Sequence, residues 1–94
     1  MILVIAKITV KKDKLDEIKN AALKLVKNSR TEDGCIEYAL YENKEDIYSL
    51  TIVEKWRDQE AVKKHSCTDF FKESIGKIQN YSENVEISLN SEVK

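Results

Sequence analysis

The first strand of this chain carries apolar side chains on both of its faces. Residues 2–10, Ile-Leu-Val-Ile-Ala-Lys-Ile-Thr-Val, are mostly apolar or β-branched, which predicts a strand. Every second residue from Ile2 to Val10 is apolar, and Leu3 and Ile5 make the start of the opposite face apolar as well. Such a strand needs cover on both sides. The chain must therefore pack its sheet against helices on one face and against something else on the other.

The next segments predict a helix and a hairpin. A helical stripe of apolar residues follows Asp13, which we expect to cap a helix that runs to about Ser29. Gly34 then supplies the left-handed turn that leads into the sheet. Alternating residues over 35–43 and 47–56 predict two strands joined as a hairpin, with Ile36 and Tyr38 on one face of the first.

The second half of the chain repeats the helix-then-strand order. Asp58 is expected to start a second helix that breaks near residues 67–68 and restarts with Thr68 or Asp69 as a new cap. Phe70 and Phe71 are then expected to point inward, as are Ile75 and Ile78 farther along. Residues 83–89 predict the last strand.

The resulting order is β-α-β-β-α-β. This predicts an α+β fold of the ferredoxin-like kind, with an antiparallel sheet and both helices on one face. The length of 94 residues suits one domain over residues 1–94, and residues 90–94 read as a loose polar tail. The helices leave one partly apolar sheet face uncovered, which predicts a homodimer in which two sheets pack into a barrel.

Charge and cysteine content narrow the class of protein. Sixteen basic and 17 acidic residues are interspersed, giving a net charge of −1. No block of like charge suggests binding to nucleic acid or to a membrane surface. The apolar start ends at Lys7, which is too short for a signal peptide, so we expect a cytoplasmic protein. Cys35 and Cys67 are expected to be reduced thiols, and with one histidine they provide no metal site.

Residues 54–65 carry most of the functional information. A strand ends at Trp56, a helix begins after Asp58, and the only histidine of the chain, His65, lies on that helix. His65 follows Ala61 and Val62 at helical spacing, so it shares their inward face. An imidazole with an ordinary pKa of about 6.5 can accept a proton near neutral pH. The alternative is a structural histidine that is hydrogen-bonded where helix and sheet meet.

Three segments resemble the antibiotic biosynthesis monooxygenase family of dimeric α+β barrels. They are Met1 to Val10 (MILVIAKITV), Ser29 to Tyr38 (SRTEDGCIEY) and Ile52 to Phe71 (IVEKWRDQEAVKKHSCTDFF). The second resembles the family signature R-x-E-x-G-C-x-x-Y, and the third resembles E-x-W, then H, then T-x-x-F. The resemblance covers nearly the whole domain and is weakest over the last strand.

The resemblance implies a pocket between sheet and helices and a reaction that needs no cofactor. Several members oxidise quinols, anthrones or similar phenols with O2, without metal, flavin or haem. By this resemblance the chain is expected to be a cofactor-independent monooxygenase acting on a small aromatic or phenolic substrate. The protein would bind the aromatic ring, assist loss of a proton and exclude water.

The resemblance assigns a candidate role to five residues. His65 would be the catalytic proton acceptor, and Trp56, Tyr38 and Phe71 would form the substrate-binding wall. Arg30 would lie at the pocket mouth. Each has a structural alternative: core packing for the three aromatic residues, and an exposed ion pair with Glu32 for Arg30. Glu54 lies among apolar neighbours and needs a partner, which Arg30 or a lysine is expected to supply.

The same residues bear on other activities found in the family. Haem-degrading members bind iron through a histidine, where this chain has Glu73 or Ser74, so haem binding is not expected. An isomerase of a phosphorylated signalling sugar, or a dimeric ligand-binding protein without turnover, remains an alternative. A cavity with several convergent cations would favour the isomerase, and an aromatic cavity with one imidazole would favour the oxygenase.

Overall fold

The computed structural model describes Met1 to Lys94 and contains one four-stranded sheet with three α-helices. The elements in chain order are β1 (Ile2–Val10), α1 (Leu15–Ser29), β2 (Cys35–Glu42), β3 (Ser49–Trp56), α2 (Gln59–Ser66), α3 (Asp69–Asn80) and β4 (Ser82–Ser91). The strands lie in the order β2-β3-β1-β4, and every pairing is antiparallel. This confirms the predicted ferredoxin-like α+β fold, with the second helix divided into α2 and α3.

The core lies between the helices and one face of the sheet. β1 is central, because it pairs with β3 on one side and with β4 on the other. Its residues Val4, Ala6, Ile8 and Val10 are at most 4% exposed. Helix α1 packs against them through a stripe of fully or almost fully buried residues: Ile18, Ala22, Leu25 and Val26. Each large aliphatic side chain buried in this way contributes about 1.5–3 kcal/mol to folding.

The opposite face of the sheet carries no helix. At its centre Ile5 pairs with Val53, and Val53 pairs in turn with Ala39 on the next strand. These residues and Leu3 are only half-buried. The face that the sequence predicted to be partly apolar is therefore an apolar patch with polar residues around it.

Helices α2 and α3 begin at the predicted capping residues. The carboxylate of Asp58 accepts a hydrogen bond from the Ala61 amide at 2.8 Å, and Thr68 Oγ1 accepts one from the Phe71 amide at 3.1 Å. None of the three helices is long and apolar enough to cross a membrane.

The predicted cap of α1 is wrong. The helix begins at Leu15, and Asp13 lies in a short 3-10 turn over Lys12–Lys14 that makes no side-chain cap. The Lys14 amide donates to the Lys11 carbonyl at 3.0 Å instead. A tight backbone turn therefore takes the place of the carboxylate cap.

A β-bulge at the start of β2 corrects the predicted strand faces. Cys35 pairs with Trp56, and the next pair is Glu37 with Lys55, so Ile36 is an extra residue without a partner. The extra residue reverses the alternation of side chains. Cys35 consequently shares the helix side with Tyr38, whereas Ile36 is 58% exposed rather than inward.

The predicted orientation of Phe70 is also wrong. Phe70 is 39% exposed, whereas Ser74 and Ile78 are buried and Phe71 packs against the core. Because α3 begins at Asp69, residues 71, 74, 75 and 78 fall on one helical stripe, and Phe70 lies to its side.

The last strand is longer than the sequence suggested. β4 runs to Ser91, with Leu3 paired to Asn90 and Ile2 paired to Ser91. The Asn90 side chain also donates to the Leu3 carbonyl at 3.2 Å. The expected loose tail over residues 90–94 is therefore shorter by two residues, because backbone pairing with β1 continues to the start of that strand.

Candidate functional site

His65 lies on the buried side of α2 and is 3% exposed. Ala61 and His65 are the two buried residues of this helix, and their spacing of four places them on one face. The Asp58 cap fixes where the helix begins and therefore which of its residues face the sheet. The structure confirms the inward position that was predicted for His65.

The Nδ1 atom of His65 is held by a carboxylate. It lies 3.1 Å from each carboxylate oxygen of Glu32. Glu32 belongs to the turn after α1, where its amide donates to the Ser29 carbonyl at 3.0 Å and its carbonyl accepts from the Cys35 amide at 3.2 Å. An ionised carboxylate only accepts hydrogen bonds, so Nδ1 carries the hydrogen and Nε2 keeps its lone pair.

The opposite nitrogen of His65 faces two further polar groups. Nε2 lies 3.5 Å from the Tyr38 hydroxyl and 3.9 Å from Oε1 of Glu54. Burial lowers the pKa of His65, and the Glu32 carboxylate opposes that shift. Burial therefore favours the neutral histidine, whose Nε2 lone pair lies on the side away from Glu32 and faces Tyr38 and Glu54.

Glu54 is a buried acid without a cationic partner. Its side chain is 7% exposed, and Oε1 accepts a hydrogen bond from Trp56 Nε1 at 2.8 Å. Burial raises the pKa of Glu54 to about 7, and hydrogen bonds from Trp56 and Tyr38 oppose the rise. The predicted pairing of Glu54 with Arg30 or a lysine is wrong, because an indole N–H and a histidine occupy its surroundings instead.

The aromatic residues surround the imidazole. The ring of Trp56 lies 4.6 Å from that of His65 at a tilt of 36°, and the ring of Phe71 lies 4.7 Å away, edge to face. Tyr38 approaches His65 edge to face at 5.5 Å. Burial raises the pKa of the Tyr38 phenol, so its hydroxyl stays protonated and can donate.

An apolar cavity of about 260 Å³ lies beside these groups. Four strands and three helices contribute to its wall, and 10 of its 13 lining residues are hydrophobic. The lining consists of Val4, Ala6, Leu25, Tyr38, Ile52, Glu54, Val62, His65, Ser66, Phe71, Ile75, Ile87 and Leu89. Ile87 and Leu89 are 48% and 52% exposed, so the cavity opens to solvent beside β4.

The structure brings three of the five predicted site residues to the cavity. His65, Tyr38 and Phe71 line it. Trp56 does not, because it is fully buried behind His65 and Glu54. Arg30 does not either: its Nε donates to the Tyr38 carbonyl at 2.9 Å. The predicted ion pair of Arg30 with Glu32 is absent, since Glu32 bonds to His65.

Sequence reasoning favoured structural roles for the two acids of the site. Glu32 and Glu54 flank His65 on opposite sides, yet neither was predicted to touch it. A signal existed for both: Glu32 lies in the R-x-E-x-G-C signature, and Glu54 begins E-x-W in an otherwise alternating strand. No group of three or more His, Cys, Asp or Glu side chains lies close enough together to hold a metal ion.

A family model and a related protein both match most of this chain. The family model described as antibiotic biosynthesis monooxygenase matches residues 1–77. A Bacillus subtilis (strain 168) protein named "Putative monooxygenase YcnE" is 36% identical over 77 residues, which is 82% of this chain and 81% of that protein.

Solved structures share the whole fold. A conserved protein from Methanosarcina mazei Go1 is 32% identical and superposes with a TM-score of 0.91 over 95% of this chain and 89% of its own. A crystal structure of an antibiotic biosynthesis monooxygenase is 25% identical and gives 0.93 over 100% of both chains. The similarity therefore extends across β4 as well as the matched residues 1–77.

Proposed function

We propose that this chain, which belongs to the antibiotic biosynthesis monooxygenase family, oxidises a small quinol or related phenol with O2 and needs no cofactor. The observation that carries the proposal is the bonding of His65. Glu32 holds Nδ1, and Nε2 lies beside Tyr38 and Glu54 at the wall of an apolar cavity. A base with a fixed tautomer in an apolar cavity suits removal of a phenolic proton.

The first step is transfer of the phenolic proton to Nε2 of His65. The imidazolium that forms is stabilised by the Glu32 carboxylate at 3.1 Å from Nδ1. The remaining phenolate is electron-rich and passes one electron to O2, which gives a substrate radical and superoxide. Deprotonation is therefore the step that the protein's own residues assist.

The radical and superoxide then combine at a ring carbon that carries hydrogen. The peroxide takes back the proton from His65 and loses water as the C–H proton leaves, so the carbon becomes a carbonyl. In sum, one phenol and one O2 give one quinone and one water. The apolar lining keeps bulk water from the radical pair, and it accommodates both the aromatic ring and O2.

The cavity gives little support to the sugar-phosphate isomerase alternative. No lysine or arginine lines it, and Glu54 would repel a phosphate. Lys7 and Lys63, which could have supplied positive charge, are both exposed, and Arg30 bonds to a backbone carbonyl. Binding of a ligand without turnover remains as an outcome of the test below.

The test is oxygen uptake by metal-chelated protein on a panel of small quinols and anthrones. Wild type should consume O2 faster than autoxidation does. The rate for His65→Ala should be at least about 100-fold lower, which is the typical contribution of a general base. Lys64→Ala is the matched control, because Lys64 lies next to His65 on the exposed side of the same helix. Full activity in folded His65→Ala, or no uptake by wild type, would contradict the proposal.

A homodimer is part of the same proposal. The uncovered face presents Leu3, Ile5, Ala39 and Val53 as one apolar patch, which a second copy can cover by packing sheet against sheet. Sedimentation at micromolar concentration should give about twice the single-chain mass of 10.9 kDa. A species at the single-chain mass would remove the dimer from the proposal.

A cytoplasmic location is also proposed. Cys35 and Cys67 are both free thiols, one half-buried and one exposed. Free thiols persist in a reducing compartment, which supports the cytoplasm. Fractionation of cells that produce the protein, with detection of the chain in the cytosolic fraction, tests this location.

A further inference from the structure

We propose that the cavity recognises a vicinal diphenol of one or two rings, with one hydroxyl on Nε2 of His65 and the neighbouring hydroxyl on a carboxyl oxygen of Glu54. This inference rests on the proposed function, in that the same histidine receives the proton. It narrows the substrate class from phenols in general to those with two adjacent hydroxyl groups.

The first argument is the placement of polar atoms around the cavity. Only four of the 13 lining residues have polar side-chain atoms: Tyr38, Glu54, His65 and Ser66. The hydroxyl of Ser66 already donates to the Lys63 carbonyl at 3.0 Å. The other three form one cluster, in which Nε2 of His65 lies 3.5 Å from the Tyr38 hydroxyl and 3.9 Å from Oε1 of Glu54. The cavity therefore has one polar end.

The second argument is the acceptor capacity of the Glu54 carboxyl group. Its Oε1 accepts the indole N–H of Trp56 at 2.8 Å, and the Tyr38 hydroxyl is a second donor to the group. A carboxylate has about four lone-pair sites, so these two donors leave capacity for a ligand hydroxyl. Glu54 lines the cavity, so its carboxyl group is open to a ligand there. A carboxyl oxygen beside a histidine nitrogen gives two acceptors at one end.

Two adjacent hydroxyl groups on an aromatic ring match this pair of acceptors. In a vicinal diphenol the hydroxyl oxygens lie side by side, so both reach the polar end while the ring lies among Val62, Phe71 and Ile75. In a para-diphenol the second hydroxyl lies across the ring from the first. It therefore cannot reach Glu54 when the first hydroxyl is on His65.

The size of the cavity limits the number of rings. A cavity of about 150 Å³ is known to hold benzene, and pockets for drug-sized ligands begin at about 300 Å³. The volume of about 260 Å³ lies between these values. One or two fused rings fit, and the exposed side of the cavity beside Ile87 and Leu89 leaves room for a substituent.

The experiment compares three naphthalene compounds under anaerobic conditions, so that binding is measured without turnover. The probes are 2,3-dihydroxynaphthalene, 2,6-dihydroxynaphthalene and 2-naphthol. The readout is the indole N–H resonance of Trp56, which is the only tryptophan and donates to Glu54. The 2,3-diol should bind about tenfold tighter than either other compound, the effect of one added hydrogen bond to a charged group.

Two variants assign the preference to Glu54. In Glu54→Gln the amide oxygen is needed by the Trp56 N–H, so the amide nitrogen faces the cavity and cannot accept a hydroxyl proton. The advantage of the 2,3-diol should then fall to less than about threefold, against about tenfold in wild type. Glu86→Gln removes an exposed carboxylate from β4 outside the cavity lining and should keep the tenfold advantage.

Equal affinities for the two diols, a preference for the 2,6-diol, or no binding of any of the three by wild type would overturn this inference, whether or not the variants fold. Its failure is distinguishable from failure of the oxygenase proposal. A preference for the 2,3-diol without oxygen uptake on any phenol would contradict the oxygenase proposal and leave this inference standing. Oxygen uptake that is fastest with para-quinols would contradict the preference for vicinal diphenols and leave the oxygenase proposal standing.

Discussion

Glu54 and Trp56, two residues apart on the same face of β3, are joined by a hydrogen bond of 2.8 Å from the indole Nε1 to the carboxyl Oε1. Glu54 lines the cavity beside His65, and Trp56 lies fully buried behind it. The indole supplies the donor that a buried carboxyl needs, and the carboxyl supplies the acceptor that a buried indole needs. Four experiments follow from this pair and its surroundings.

The stability of the protein should fall as pH rises through the titration of Glu54. Burial raises the pKa of this carboxyl from 4.5 to about 7, so between these values the folded state binds more protons than the unfolded state. The associated stability is fully present below pH 4.5 and is lost as pH rises through 7. The shift corresponds to a loss of about 3 kcal/mol.

Urea denaturation at pH 4.5 and pH 8 measures this effect by comparison with Glu54→Gln. The substitution removes the Glu54 titration and leaves that of His65, which acts in the opposite direction because its folded pKa is lowered. Between pH 4.5 and pH 8, the free energy of unfolding of the variant should rise by about 3 kcal/mol relative to that of wild type. Parallel pH profiles for the two proteins would contradict a raised pKa of Glu54.

Trp56→Phe should raise the pKa of Glu54 further. The indole N–H lowers that pKa by bonding to the ionised form, and phenylalanine has no donor to replace it. The variant should also lose about 1–3 kcal/mol of stability from the unmet hydrogen bond. Carboxyl NMR titration measures the shift. Tyr38→Phe should raise the pKa by a smaller amount, and a fall in either variant would be against this account.

Glu32→Gln should lower the pKa of His65. The carboxylate favours the imidazolium by hydrogen bond and by charge, and glutamine keeps the first without the second. A lower pKa and a less strongly fixed tautomer should reduce oxygen uptake by at least about tenfold. His65 is the only histidine, so its imidazole gives one NMR titration curve.

Asp33→Asn is the control for that substitution. Asp33 is the next acid in the chain, its side chain is 88% exposed, and it pairs with Arg57 rather than with His65. An exposed ion pair of this kind contributes about 0–1 kcal/mol. The variant should therefore keep both the pKa of His65 and the turnover. An equal fall in the two variants would mean that general surface charge, and not the Glu32 contact, sets the pKa.

Gly34→Ala should destabilise the fold and disturb the Glu32–His65 contact. Gly34 has φ +86°, and an added Cβ would lie 2.6 Å from the Cβ of Ala61 on α2. We expect a loss of at least about 1–3 kcal/mol from backbone strain and overlap. The other glycine is a matched control, because a Cβ on Gly76 in α3 meets nothing within 4 Å. Thermal denaturation of Gly76→Ala should show a free energy of unfolding that is higher by about 0.5–1 kcal/mol.

Local patterns in the sequence predicted the elements but not the contacts that cross between them. The order of elements, the caps at Asp58 and Thr68 and the inward face of His65 follow from spacing over a few residues. The bulge at Ile36 depends on pairing with β3, which no local pattern encodes. Its consequence was an incorrect strand face for two residues, Cys35 and Ile36, at the start of β2.

The two acids show the same limit at the site. Glu32 and His65 are 33 residues apart, and their contact exists because the turn after α1 approaches α2. Glu54 was expected to find a cation because a buried acid usually does. An indole donor two residues away satisfied it instead, since alternate residues of a strand share a face.

The opening of the cavity is built from the two ends of the chain. Ile87 and Leu89 reach it only when β4 pairs with β1, with Ala6 opposite Ile87 and Val4 opposite Leu89. These pairs join residues about as far apart in sequence as the chain allows, and such contacts are costly to form early in folding. During synthesis the histidine and its acids emerge before the entrance exists. The wall of the cavity is therefore expected to be completed last in folding, when β4 pairs with β1.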